Sequence, residues 1–263
     1  MSFLSRHVTL ILVGLPLFVL FGMLVLFEIG RAAGIRRSAR EPERALDGLG
    51  PVKGAVFGLL GLLIAFTFAG AAGRYDKRRD LAVREAVAIG NAWDRLAVLP
   101  TETRSPLRDG LRRYVESRLE TYRRLPDFDA AMAELQRSRD LEDGIWREAV
   151  AASATQHVRQ VTLLILPALE TSFDMSRVRT ETAMHHPPML VWVMLLLLSL
   201  ASALIAGYGV TSRSRGSWLY VVAFAASTAI AVYAILDIEF PRAGLVRLDA
   251  SERPLTEVLE RMK

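Results

Sequence analysis

Residues 54–72 read GAVFGLLGLLIAFTFAGAA and contain no charged side chain. An α-helix rises about 1.5 Å per residue, so a segment of this length crosses the hydrocarbon core of a bilayer, which is about 30 Å thick. Three more charge-free apolar segments of similar length lie at residues 8–27, 188–207 and 218–236. No segment alternates with period two between turn residues, as strands do. The sequence therefore predicts an all-α membrane protein with four transmembrane helices.

The composition agrees with membrane spans joined by water-facing segments. Apolar residues make up 52% of the chain and charged residues 23%. Because the four spans hold no charge, the charged residues are concentrated between them. We predict a first span with a basic linker (1–53), a second span (54–73), a helical soluble domain (74–187), the third and fourth spans (188–236) and a C-terminal tail (237–263).

The segment between the second and third spans has helical periodicity. Apolar residues at alternating spacings of four and three form a narrow seam, which is typical of a helix that packs against another helix: Ala82, Ala86, Ile89, Trp93 and Leu96. No helix breaker separates this seam from the second span, so one long helix is predicted to continue from the membrane into water. A further helix is predicted to start with Ser105 as its cap and Pro106 at its first position, and another with Asp143 as its cap.

Small residues recur at helical spacing in three of the spans. In the second span they are Gly54, Gly58, Gly61, Ala65, Ala69 and Gly73; later spans repeat the pattern with Ser199, Ala203 and Gly207, and with Ala223, Ser227 and Ala231. Small faces allow membrane helices to approach closely. We expect them to pack the four helices of one subunit together, and the alternative is a contact between subunits.

The sequence gives little support for catalysis or for a cofactor. It has no cysteine, which excludes disulfides and thiolate sites. Metalloprotease, hydrolase and phosphate-loop motifs are missing, so we expect neither an enzyme nor a bound cofactor. His185 and His186 point to different faces of any regular helix, which makes a metal site improbable. Acidic and basic residues nearly cancel between the second and third spans, which excludes a nucleic-acid partner.

Charged residues occur at the span ends and not within the spans. Ion pumps and proton-coupled carriers place ionisable relays in the membrane, so an active transporter is disfavoured. We predict an interfacial polar cluster formed by Tyr75, Asp76, Asp237, Glu239 and Arg242. Ordinary salt bridges at helix ends are the simpler interpretation of these residues.

Two tracts resemble bacterial membrane proteins that carry the bestrophin-like domain. The first tract is residues 58–80, GLLGLLIAFTFAGAAGRYDKRRD, followed by Glu85, Asn91 and Leu96. The second comprises His186-Pro187-Pro188, Val191-Trp192, Gly207-Tyr208 and the octapeptide DIEFPRAG at residues 237–244. The resemblance covers most of the chain from about Lys53 onward. It implies a four-span fold more directly than an activity.

A more distant resemblance is to the bestrophin anion channels, pentamers whose second span lines a narrow apolar neck. Phe66 and the pair Tyr75-Asp76 fall where those channels have a neck aromatic residue and a tyrosine-aspartate step. The resemblance implies a homo-oligomer, a pentamer by analogy, with a pore lined by Leu62, Phe66 and Ala69. Ala69 and Gly70 replace the aromatic residue and arginine expected after the neck, and Arg78 and Arg79 replace tryptophans. These differences argue against carrying the anion selectivity of those channels over to this chain.

Two functional hypotheses remain open. The first is a homo-oligomeric ion channel, because apolar necks gate by dewetting and need no buried charge. The second is a non-conducting scaffold or sensor whose helical domain binds a protein partner through the Ala82–Leu96 seam. In both cases the lipid bilayer surrounds the protein. Arginine and lysine are more frequent near the span ends on the side of the helical domain and both termini, which predicts that this side is the cytoplasmic face of the bacterial inner membrane.

Overall fold

The computed structural model describes residues 8–40, 49–125, 127–153, 159–210, 215–241, 244–246 and 252–263. Within these ranges the chain forms helices and no strand. In chain order the helices are α1 (Val8–Arg40), α2 (Leu49–Leu96), α3 (Thr101–Arg123), α4 (Phe128–Ser153), α5 (Arg159–Met184), α6 (Met189–Tyr208), α7 (Arg215–Glu239) and α8 (Arg253–Arg261). The predicted all-α fold is confirmed.

Four helical segments are long and apolar enough to cross a membrane. They coincide with the apolar parts of α1, α2, α6 and α7, so the four predicted spans are confirmed. Residues 185–188 are not helical and separate α5 from α6. Two consecutive prolines explain this break, because Pro187 and Pro188 lack the amide hydrogens a continuing helix needs. The chain is therefore a multi-pass helical membrane protein in contact with lipid.

The second span and the first water-facing helix are one element. Helix α2 is 48 residues long and carries no proline between Pro51, in its first turn, and Pro100, beyond its end. Nothing in this stretch removes a backbone donor, so the hydrogen-bond ladder continues from the apolar segment into the charged one. The predicted long helix is confirmed.

The chain divides into two compact units. The first comprises Met1–Arg74 and His186–Leu245. In this membrane unit α1 packs against α6 and α7. A Cβ atom added to Gly207 would overlap the carbonyl oxygen of Phe27, and one added to Gly30 would overlap that of Leu204. Glycine is required at these crossings because the backbones of α1 and α6 nearly touch.

The second unit comprises Tyr75–His185 and Val246–Lys263. Its core contains residues from α2, α3, α4, α5 and α8, among them Ile89, Leu111, Tyr114, Leu169 and Leu255, all at most 1% exposed. The seam predicted on α2 is buried here, because Ala82, Ala86, Ile89 and Leu96 are at most 2% exposed. The seam therefore packs against helices of its own unit.

Helix α3 begins earlier than the sequence predicted. Its first residue is Thr101, and Pro106 lies inside the helix and not at its start. Pro100 occupies the cap position, and its carbonyl oxygen accepts hydrogen bonds from the amides of Thr103 and Arg104. Pro106 is the sixth residue of the helix, and its missing amide removes one backbone hydrogen bond, which the helix tolerates.

Candidate functional site

The second span presents most of its surface away from the rest of its unit. Only 17% of the residues in its apolar window are buried, against 28% to 33% in the other three spans. Leu60, Thr67 and Ala71 form the buried face, at spacings of seven and four. Most of the helix circumference is therefore free to contact lipid, water or another protein chain.

The three residues predicted to line a pore lie on this outer face. Leu62 is 50% exposed and Phe66 is 67% exposed, and Ala69 is exposed as well. Their spacings of four and three place them on one side of the helix. Leu59 and Phe68 are also exposed, so the outer face is apolar and partly aromatic.

The small-residue stripe of the second span also faces outward. A Cβ atom added to Gly54, Gly58, Gly61 or Gly73 would meet nothing within 4 Å in the described part of the chain. Ser199, Ala203 and Gly207 behave differently, because all three are buried within the subunit. The expectation of packing within one subunit thus holds for α6 and is wrong for α2, where the stripe has no neighbour among the described residues. Ala223 and Ser227 of α7 are exposed as well.

A buried carboxylate joins three elements at one end of the membrane unit. The side chain of Glu239, at the end of α7, is 0% exposed. Its Oε2 accepts a hydrogen bond from Nε of Arg74 at 2.8 Å, and its Oε1 lies 3.0 Å from Nδ1 of His186. The ring of His186 also stacks on Phe240 with centroids 4.7 Å apart. These contacts fasten α2, the turn before α6 and the end of α7 to one another.

As a group of five residues, the interfacial polar cluster predicted from the sequence stays a prediction. Asp237 and Glu239 are both buried in the membrane unit. A Cβ atom on Gly244 would overlap Oδ1 of Asp237, so the absence of a side chain at Gly244 makes room for that carboxylate. Tyr75 and Asp76 belong to the second unit, and Arg242 lies outside the described residues. Two partners of Glu239 among the described residues are Arg74 and His186, which the predicted cluster did not include.

The second unit contains a fully buried charge cluster. Glu85 on α2 accepts hydrogen bonds from Nε of Arg118 at 2.9 Å and from Nη1 of Arg179 at 2.5 Å. The side chains of Glu85, Arg118 and Arg179 are 0%, 2% and 7% exposed. Arg118 also donates to the hydroxyl of Tyr122, and both guanidinium groups lie over the Tyr122 ring. The cluster ties α2, α3 and α5 together.

The protonation states in this cluster follow from its charges. Burial alone raises the pKa of the Glu85 carboxyl, but the guanidinium groups of Arg118 and Arg179 outweigh it and hold the pKa below its usual range. Burial raises the pKa of the Tyr122 hydroxyl, which stays neutral. The cluster thus holds one anion between two cations and has a net positive charge.

A second carboxylate of this unit is affected in the opposite direction. Glu142 on α4 pairs with Arg177 on α5. Burial raises the pKa of the Glu142 carboxyl, and the attraction of the exposed Arg177 only partly compensates. Among the described residues no group of three or more histidine, aspartate or glutamate side chains is arranged to hold a metal ion.

Sequence reasoning missed these buried charges, although a signal was present. Glu85 follows Ala82 by three residues and therefore lies on the buried seam face of α2. Arg118 lies three residues after Val115 and four before Tyr122, both inward-facing positions of α3. A charged residue in an inward register indicates an ion pair with another inward-facing charge.

These features define the class of protein: a four-span helical membrane protein with a second helical unit whose core contains an ion-pair cluster. No curated protein and no solved structure matches the chain. The model of the bestrophin-like domain matches residues 17–252. The chain belongs to the bestrophin-like family.

Proposed function

We propose that the protein is a homo-oligomeric ion channel of the bacterial inner membrane in which the second span of each subunit lines the pore. The observation that carries the proposal is the outer face of α2. Leu62, Phe66 and Ala69 are exposed there, and a Cβ atom added to Gly58 or Gly61 would meet nothing within 4 Å in the described part of the chain. The termini and the helical unit are proposed to lie on the cytoplasmic side.

The chemistry of the outer face supports a pore with an apolar constriction. Leu62 and Phe66 are large and apolar, and such a ring controls ion passage by excluding water when it is narrow. The small stripe beside them is suited to helix contacts between neighbouring subunits, because glycine and alanine allow close backbone approach. One face of α2 thereby supplies both the wall of a pore and the contacts that close a ring.

Ion flux into sealed proteoliposomes tests this proposal. Changing Leu62→Ala or Phe66→Ala widens the constriction and is expected to raise the flux. Phe21→Ala is the matched control, because Phe21 is a 60% exposed aromatic residue of α1 outside the proposed pore. Flux that is the same in Leu62→Ala, Phe66→Ala and Phe21→Ala would contradict a pore lined by α2.

The second candidate is a scaffold or sensor that binds a protein partner through its helical unit. Its original support was the α2 seam, and that face is occupied by the core of the unit itself. The remaining observation in its favour is a pair of exposed valines on the opposite side of α2, Val83 at 49% and Val87 at 57%. Two isolated valines are a common feature of protein surfaces, so this candidate has less support than the channel.

A further inference from the structure

The membrane unit contains a partly open cavity with a volume of about 380 Å³. Its walls come from α1, α2, α6 and α7, and include Met23, Phe27, Phe57, Val221 and Phe224. Ligand cavities in proteins commonly measure about 300–1,000 Å³ and have mainly apolar walls. The cavity is therefore large enough for part of a small molecule or for an acyl chain.

Among the described residues of the cavity wall, one side chain is charged, that of Lys53 in the first turns of α2. In the described part of the chain no carboxylate forms a salt bridge or hydrogen bond with its ammonium group. A cation beside apolar walls, with no acidic partner, is suited to bind a molecule that has an anionic group and an apolar part.

The ammonium group of Lys53 lies against the backbone of Gly209. A Cβ atom on Gly209 would overlap Nζ of Lys53. The backbone of Gly209 has φ −83° and ψ 1°, which residues other than glycine also adopt, so backbone conformation does not require glycine here. The space that glycine leaves is filled by the lysine head, at the carbonyl end of α6 where a cation is favoured.

The neighbouring part of α1 is also basic. Gly34 of α1 lies against the backbone of Tyr208, next to Gly209, and Arg37 donates a hydrogen bond to the Tyr208 hydroxyl at 2.8 Å. Arg36 is exposed in the same turn. Arg37 is thus a second cation bound to the residue next to Gly209, which favours a negatively charged head group over a neutral or zwitterionic one.

We infer that this cavity binds the acyl chain of an amphiphile whose anionic head group pairs with Lys53. The apolar walls take the chain, and the ammonium group at Gly209 takes a phosphate or a carboxylate. A lysine that only extends to the membrane surface would have no need to line an apolar cavity. The inference does not depend on whether the protein conducts ions.

Lipid binding to the delipidated full-length protein in neutral detergent tests the charge recognition. The probes are dioleoyl phosphatidylglycerol, dioleoyl phosphatidylcholine and oleate, and the readouts are native mass spectrometry and the shift in Tm. Wild type is expected to bind phosphatidylglycerol about tenfold more tightly than phosphatidylcholine, Lys53→Met to lose this preference, and Lys53→Arg to keep it. Stronger stabilisation by oleate than by phosphatidylglycerol would identify a free fatty acid as the occupant. Stronger stabilisation by phosphatidylglycerol would identify a membrane phospholipid.

A pair of neighbouring residues tests the cavity itself. Val221 lines the cavity, whereas Val222 is half-buried and does not. Val221→Trp is expected to fill the cavity and abolish lipid stabilisation, and Val222→Trp to leave it intact. Gly209→Ala, which displaces the ammonium group, is expected to weaken the preference for the anionic lipid. An unchanged preference in Lys53→Met, or equal lipid binding by Val221→Trp and Val222→Trp, would overturn the inference.

Discussion

Glu85 lies between the guanidinium groups of Arg118 and Arg179 with no exposure to solvent. Removing one member of a buried ion pair leaves the other charge without compensation, which costs about 3–5 kcal/mol. The ion pairs of Glu85 are therefore expected to contribute more to the free energy of unfolding than the exposed salt bridges of the same unit.

The first prediction concerns this carboxylate. Glu85→Gln is expected to lower the free energy of unfolding of the helical unit by about 3–5 kcal/mol, since two buried cations lose their anion. Glu116→Gln, which breaks the exposed pair with Arg112, should change it by only about 0.5 kcal/mol. Unfolding of the full-length protein in detergent, followed by circular dichroism, makes the comparison. Equal stability of the two variants would contradict the role assigned to the cluster.

The second prediction concerns acid stability. The folded state holds the pKa of Glu85 below its unfolded value of about 4.3, so its contribution is complete above that pH. The contribution is lost as the pH falls through the lower, folded-state pKa. As the pH falls below about 4.3, the free energy of unfolding of wild type should therefore decrease more steeply than that of Glu85→Gln. The two slopes should differ by up to about 1.4 kcal/mol per pH unit for this one proton. Parallel stability curves for the two proteins would show that Glu85 is not the group responsible.

At the scale of elements, glycines in two spans have different surroundings. Gly207 of α6 touches the backbone of α1, whereas a Cβ atom on Gly58 of α2 would meet nothing within 4 Å in the part of the chain that the structure describes. The sequence shows equal spacing of small residues in both helices, because periodicity identifies which residues share a face and not what lies opposite that face. For this reason the packing partner of each stripe could not be predicted from the sequence.

The third prediction compares these two glycines. Gly207→Ala must push α1 and α6 apart and is expected to destabilise the membrane unit by about 1–3 kcal/mol. Gly58→Ala should leave the stability of the isolated subunit unchanged or raise it by up to about 1 kcal/mol, because alanine favours a helix. Thermal unfolding in detergent measures both variants. A loss of stability from Gly58→Ala as large as that from Gly207→Ala would contradict the outward placement of the α2 stripe in a single subunit.

Helix boundaries show a similar limit of sequence reasoning. Asp143 was predicted to cap a helix, yet it lies in the middle of α4, which begins at Phe128. The residue that caps this helix is Asp127, whose Oδ1 accepts a hydrogen bond from the amide of Ala130 at 3.1 Å. Both aspartates fit the preferred cap chemistry, and only tertiary packing of Ala131 and Leu135 into the core selects the earlier start.

At the scale of the whole molecule, the spans were readable from the sequence because a bilayer imposes one length on every crossing helix. The long α2 helix was also readable, since no proline interrupts it. The contacts of Glu239 with Arg74 and His186 were not readable, because these residues are separated from it by long stretches of chain. Such contacts depend on how the helices are arranged, which local patterns do not encode.

The fourth prediction concerns the α2 stripe in the assembled protein. If glycines 54, 58 and 61 form contacts between subunits, Gly58→Leu should dissociate the oligomer while the subunit remains helical. Ala223→Leu is the matched control, because Ala223 is an exposed small residue of α7 outside the proposed contact. Size-exclusion chromatography separates the outcomes, and equal elution of the two variants would exclude the stripe from the subunit interface.

The molecular mass of the detergent-solubilised protein, corrected for bound detergent by light scattering, tests the central claim most directly. A pore lined by one helix from each subunit requires a closed ring of subunits. With a subunit mass of 29.1 kDa, the proposal predicts a stable oligomer, a pentamer by analogy with bestrophin channels. A homogeneous monomer in this measurement would contradict a pore lined by α2.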